Sequence, residues 1–200
     1  MLRVGLTGGI GCGKSVVAAM LREQGFLVLD ADTLAHQLVE PGQPAYDDVL
    51  QEFGKGVCDA SGKIDRAKLA AIVFAEPAKL ARLNQIVHPR VAEAQERLFT
   101  EWQRTHPRGV AVVEAALLVE AGAHNRLDRL VVVWCRPEQQ VERLRERGMS
   151  AEEAQRRIAS QMPLEEKRRL AEFQIDCSGT IEDTRQQVER LVAQLRQLAA

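Results

Sequence analysis

Residues Gly5–Ser15 read GLTGGIGCGKS, five glycines in eleven residues, closed by a lysine and a serine. Glycine weakens a helix or strand interior, so such a density serves a turn or a close backbone approach. The apolar stretch RVGL (Arg3–Leu6) precedes it, and VVAAMLREQ (Val16–Gln24) follows with apolar residues at helical spacing. Between Gly8 and Ser15 every fixed position of G-x-x-x-x-G-K-[ST] is filled. In a strand, glycine loop and helix of this kind, backbone N–H groups converge on an anion, and the helix start adds its positive dipole end. Lys14 would reach the β- and γ-phosphates, and the Ser15 hydroxyl would help hold Mg²⁺. The stretch is therefore read as a nucleoside triphosphate site.

Outward from the loop, apolar runs of strand length recur at Phe26–Leu29, Val110–Val113 and Leu130–Trp134, with a weaker one at Phe173–Asp176. Helical segments separate them, the pattern of a parallel sheet covered on both faces. The expectation is an α/β P-loop fold of three layers, with about five parallel strands. From Glu40 to Pro107 no strand is convincing, only helical pattern cut by EPGQP, DASGK and HPR. The core is therefore assigned to 1–39, 108–136 and 173–200, with a helical lobe at 40–107 and a separate Arg/Glu-rich segment at 137–172. The stripe Val188, Leu191, Val192, Leu195, Leu198 on the last helix reads as core packing.

The charges nearly cancel, with 27 Lys+Arg against 28 Asp+Glu in 200 residues, which argues against a general nucleic-acid binder. No apolar stretch is long enough to span a membrane, and the first strand begins almost at Met1, so a cytoplasmic protein is expected. Cys12, Cys58, Cys135 and Cys177 form no CxxC pair, so neither a zinc site nor a disulfide framework is indicated. Cys135 reads as a buried small hydrophobe; Cys12, inside the loop, is either oxidation-sensitive or simply small.

The remaining candidates each admit two readings. Asp30 and Asp32, in LVLDADTLAHQ, lie beside the loop if the first two strands are near neighbours, and in an extended D-x-D both carboxylates face one side. One of them would accept or orient the proton of an attacking hydroxyl; the alternative is that Asp32 caps the helix beginning at TLAHQL. Arg143 and Arg147 share a helix face and would stabilise a moving phosphoryl group. Between Arg136 and Glu172, however, nine basic and eight acidic residues mostly form solvated faces and i,i+4 pairs. His88, in IVHPRV, reads alone as a helix boundary before proline. Glu120, in EAALLVEAG, is a surface glutamate or a cleft residue.

Together these residues resemble the dephospho-CoA kinase family. GLTGGIGCGKS at the first strand, Asp30-Ala31-Asp32 after the second, His88-Pro89 in the helical insertion, Leu117–Glu120 after the third and RIASQMPLEEKRRLAEFQID (Arg157–Asp176) occur in that family's order across essentially the whole chain. The resemblance implies ATP and dephospho-CoA as substrates, phosphorylation at the ribose 3′-hydroxyl, a helical CoA-binding lobe and a mobile lid. It implies that Gly11, Cys12, Gly13, Lys14, Ser15 and Val16 hold the ATP phosphates, with Lys14 also acting on the transition state. Asp32 would be the base or orienter, His88 and Glu120 would lie on the acceptor side, and Arg143 and Arg147 would be lid arginines. Val16 stands where that family often has threonine, and Cys12 where it has serine. Ala116 replaces a proline, a change expected to loosen the acceptor loop, while Glu172 and Cys177 replace Asp and Asn. The nearest rival is another small-molecule P-loop kinase, for nucleotides, shikimate or gluconate; DAD and the long insertion favour a large acceptor. A P-loop switch protein is the rival of another class, but the N-K-x-D expected of a GTPase is missing.

Overall fold

The computed structural model describes all residues, 1–200. In chain order the elements are β1 (Leu2–Gly8), α1 (Lys14–Glu23), β2 (Leu27–Asp30), α2 (Ala31–Leu38), α3 (Tyr46–Phe53), α4 (Arg66–Ala75), α5 (Pro77–Thr105), β3 (Val110–Glu114), β4 (Arg129–Trp134), α6 (Pro137–Glu146), α7 (Ala151–Ala159), α8 (Leu164–Leu170), β5 (Phe173–Asp176) and α9 (Ile181–Ala199). The five strands form one parallel sheet in the order β2-β3-β1-β4-β5. The chain divides into two compact units, Met1–Asp30 with Trp102–Ala200, and Ala31–Glu101.

In the sheet unit, β3 is buried along its whole length and β4 along all but its ends, as expected of strands covered on both faces. Val4, Leu6, Val112, Val131, Val133 and Ile175 share one core with Val17 and Leu21 of α1. Val188, Leu191, Val192 and Leu195 of α9 complete it, so the stripe on the last helix packs as expected except Leu198, which is exposed. At Gly5 the sheet meets Leu118 and Leu127 of the β3–β4 connection so closely that a β-carbon would lie 2.6 Å from the Leu118 side chain. Helix α8 packs on β4, and the Arg168 guanidinium stacks 4.0 Å above the Trp134 ring.

Strand β3 lies between β1 and β2, so the first two strands stand one strand apart in the sheet. Asp30-Ala31-Asp32 is not extended. Strand β2 ends at Asp30 and α2 begins at Ala31, which puts Asp32 inside the first helical turn, where the N-terminal dipole end favours a negative charge.

In the helical unit, Val49, Val57, Leu69 and Val73 form a separate core against Leu80, Leu83, Ile86 and Val87. The turn at DASGK is shaped by Asp59, whose Oδ1 accepts from Ser61 N at 2.8 Å and from Lys63 N at 3.1 Å. These bonds, with the Ser61 hydroxyl foremost, lower the Asp59 pKa. Pro89 does not end a helix: α5 runs through it from Pro77 to Thr105. A mid-helix proline forfeits one backbone hydrogen bond and crowds the preceding turn. Here Ile86 and Val87 before it pack on the helical core, and Gln95 and Phe99 after it are buried, so packing anchors both halves.

Helix α9 starts with a capping box, in which the Thr180 side chain accepts from Asp183 N while the Asp183 carboxylate accepts from Thr180 N. Thr180→Ala should lower unfolding free energy by about 1 kcal/mol. Urea denaturation checks this, with a loss under about 0.3 kcal/mol excluding a capping role.

Candidate active site

The turn from β1 into α1 is built where glycine is required. A β-carbon at Gly8 would collide with the Val133 carbonyl of β4, and one at Gly9 would lie 2.6 Å from Gln140 Nε2. Gly11 and Gly13 have φ of 78° and 96°, the left-handed region that glycine enters without strain. Cys12 N donates to Gly9 O at 3.1 Å and closes the turn. The N–H groups of Gly11, Gly13, Lys14 and Ser15 have no acceptor within the protein. They open onto a pocket of about 220 Å³ that Lys14, Ser15, Arg147 and Gln161 also line. Unspent donors at a helix start, beside two cationic side chains, make an anion site.

Lys14 is not free in that pocket. Its Nζ lies 2.9 Å from Glu114 Oε1, and Arg22 approaches the other oxygen at 3.5 Å. Glu114 ends β3, is only 5% exposed, and pairs in register with Leu6 of β1 and Asp30 of β2. Sequence reasoning did not single it out. The available signal was an acidic residue closing an otherwise apolar strand.

The two arginines differ. Arg143 Nη2 donates to Cys177 O at 2.8 Å and Nη1 to Gly11 O at 3.4 Å, so its guanidinium is committed to backbone carbonyls. The Arg147 side chain is exposed and makes neither a hydrogen bond nor an ion pair. Both line a second pocket of about 360 Å³ beside the loop, with Val16, Cys177 and Ile181.

Glu120 is engaged elsewhere in the sheet unit. Its Oε1 lies 2.7 Å from Lys167 Nζ and accepts from Met162 N at 3.1 Å. Lys167, placed by sequence among solvated charges, is wholly buried and donates also to Ala116 O at 3.0 Å. Thr7 Oγ1 reaches the same carbonyl at 3.3 Å, so the loop is pinned despite the alanine at 116. Glu172 likewise has a local use, accepting from Leu130 N at 2.8 Å.

Cys12 is fully buried, 3.7 Å from the Cys135 sulfur. Its hydrogen bond with Cys135, then burial, pushes the thiol pKa far up, so it stays protonated and hidden from solvent oxidants. Burial likewise raises Cys177 to about 11.

In the helical unit, His88 lines a cavity of about 280 Å³ whose walls include Val39, Leu69, Val73 and Leu83, with His36, Arg66 and Asn84 as polar members. Asp32 is not among its lining residues. No cluster of His, Cys, Asp or Glu forms a ready metal cage, and no helix is long and apolar enough to cross a membrane.

The family model for dephospho-CoA kinase matches residues 2–183. The dephospho-CoA kinase of Aquifex aeolicus is 45% identical over 195 residues, 98% of each chain. A crystal structure from Thermus thermophilus superposes with a TM-score of 0.82 at 36% identity, over 97% of each chain. The dephospho-CoA kinase of Campylobacter jejuni superposes at 0.73 with 26% identity, over 99% of this chain and 98% of that one.

Removing Glu120 would leave the buried Lys167 ammonium without its counter-charge. Glu120→Ala should therefore cost about 3 kcal/mol of stability, whereas the double change Glu120→Gln with Lys167→Met should cost less. Chemical denaturation of the variants checks this; a neutral Glu120→Ala would show the pair to be unimportant.

Proposed function

The chain belongs to the dephospho-CoA kinase family of ATP-dependent phosphotransferases; on that premise we propose that it transfers the ATP γ-phosphoryl group to the ribose 3′-hydroxyl of dephospho-CoA, the last step of coenzyme A synthesis. The observation that carries the reading is the loop from Gly9 to Ser15, whose four unspent N–H groups face a pocket lined by Lys14 and Arg147. Phosphoryl transfer needs little covalent help from a protein. It needs donors fixed where charge develops and reactants held in line.

The triphosphate would lie along Gly11–Val16, and the adjoining pocket beside Val16, Cys177 and Ile181 would receive the base. Glu114 fixes the Lys14 ammonium beside the loop pocket, so less side-chain freedom would be lost on nucleotide binding. Arg147, whose guanidinium is unpaired, would meet the transferring group. Arg143, expected to share that role, is instead read as a wall of the base pocket, fixed by Gly11 O and Cys177 O.

Asp32 would accept or orient the proton of the 3′-hydroxyl. His88 and its cavity in the helical unit would bind part of the acceptor, the helical lobe thus serving as the CoA-binding lobe. Glu120, bonded to Lys167 and Met162, is read as shaping the acceptor side rather than touching the acceptor.

Ser15 fits a magnesium site. Its side chain is exposed at the loop pocket, as suits an ion that keeps waters and shares phosphate oxygens. The bound ion would neutralise phosphate charge.

Lys14→Ala and Asp32→Ala should each lower turnover at least ~100-fold, about 2.7 kcal/mol of barrier stabilisation. Steady-state rates on folded variants check this. Near-normal turnover of Asp32→Ala would reduce Asp32 to a charge favouring the α2 helix start.

A further inference from the structure

Ile10, the one bulky residue within the glycine run, has both of its backbone polar groups taken by side-chain amides. Gln161 Oε1 accepts from Ile10 N at 2.9 Å, and Gln140 Nε2 donates to Ile10 O at 2.8 Å. Gln140 projects from α6 and is 4% exposed; Gln161 stands just after α7 and lines the loop pocket. Neither glutamine was singled out by the motif, and the motif leaves Ile10 unspecified.

The two bonds act on successive peptide planes. In a trans peptide the N–H points opposite to the carbonyl of the same unit. Gln140, by holding Ile10 O, thus fixes the direction of Gly11 N–H, which has no acceptor in the protein. Gln161, by holding Ile10 N, orients the Gly9 carbonyl, and that carbonyl accepts from Cys12 N to close the turn. Glycine at 9 is itself a consequence, since a β-carbon there would strike the Gln140 amide.

We propose that Gln140 and Gln161 are positioning residues for ATP: through Ile10, Gln140 aims the Gly11 N–H at the phosphates and Gln161 fixes the Gly9 carbonyl that closes the turn. Gln161 also ties loop geometry to the segment after α7. Its neighbour Met162 donates through its N to Glu120, so consecutive residues of that segment hold the phosphate loop and the loop after β3. A change in the segment's position would then reach the phosphate donors directly. The inference rests on the glycine loop being the ATP site.

The test uses Gln161→Met and Gln140→Met, which keep side-chain length and lose the hydrogen bond. Each should raise KM for ATP, and Kd for ADP, about tenfold, the scale of one well-aligned hydrogen bond. KM for dephospho-CoA and thermal stability should stay near wild type. Because both act through Ile10, the double variant should lose less than the product of the single losses. An unchanged KM for ATP, or parallel rises in both KM values with lowered stability, would overturn the proposal. Lys14→Ala run alongside separates the premises. If it impairs turnover while the glutamine variants bind ATP normally, the loop remains the ATP site and only the positioning role fails. If it has no effect, the site reading itself fails.

Discussion

No β-carbon fits on the inner side of the turn between β1 and α1, and the functional site is organised around that constraint. Gly8 lies against the Val133 carbonyl and Gly9 against the Gln140 amide, so the chain passes between β4 and α6 with only its backbone. Once there, it can satisfy few of its own donors. Four N–H groups are left facing one pocket at a helix start, where the macrodipole adds to their partial charge. A side chain at Gly8 would shift the backbone, and one at Gly9 would displace the Gln140 amide that holds Ile10 O.

The charged residues around this turn are sorted by whether they are already paired. Lys14 is held by Glu114 yet still lines the pocket, so an anion entering it would meet an ammonium placed in advance. Arg143 is committed to two carbonyls and serves as wall, while the Arg147 guanidinium is unspent. Lys167 belongs to the opposite category. It is wholly buried, neutralised by Glu120, and pins the loop after β3 through Ala116 O. A lysine lining a pocket and a lysine removed from water thus do different work within one unit.

Much of this was legible in the chain itself. The five strands, the glycine loop and the helical character of the insertion follow from apolar runs and glycine spacing, each governed by local contacts. What escaped depended on strand order. With β3 between β1 and β2, Glu114 comes to lie beside Lys14, and no local pattern announces that order. Pro89 escaped for a related reason, since packing on both sides of it outweighs its tendency to end a helix. Lys167 looked like one more surface charge because periodicity reports a helix face but not what lies against it. The relation of Asp32 to the acceptor was read from an extended D-x-D and from family resemblance, whereas Asp32 occupies the first turn of α2.

The proposed reaction requires that phosphoryl transfer at this loop go to one large acceptor at one hydroxyl. The direct measurement is ADP formation from Mg-ATP with dephospho-CoA, AMP, CMP, shikimate or no acceptor, followed by locating the new phosphate. Rapid ADP formation with dephospho-CoA alone, and a product phosphorylated at the ribose 3′-hydroxyl, is the predicted result. Turnover with a different acceptor, or ATP binding with no transfer at all, would contradict it.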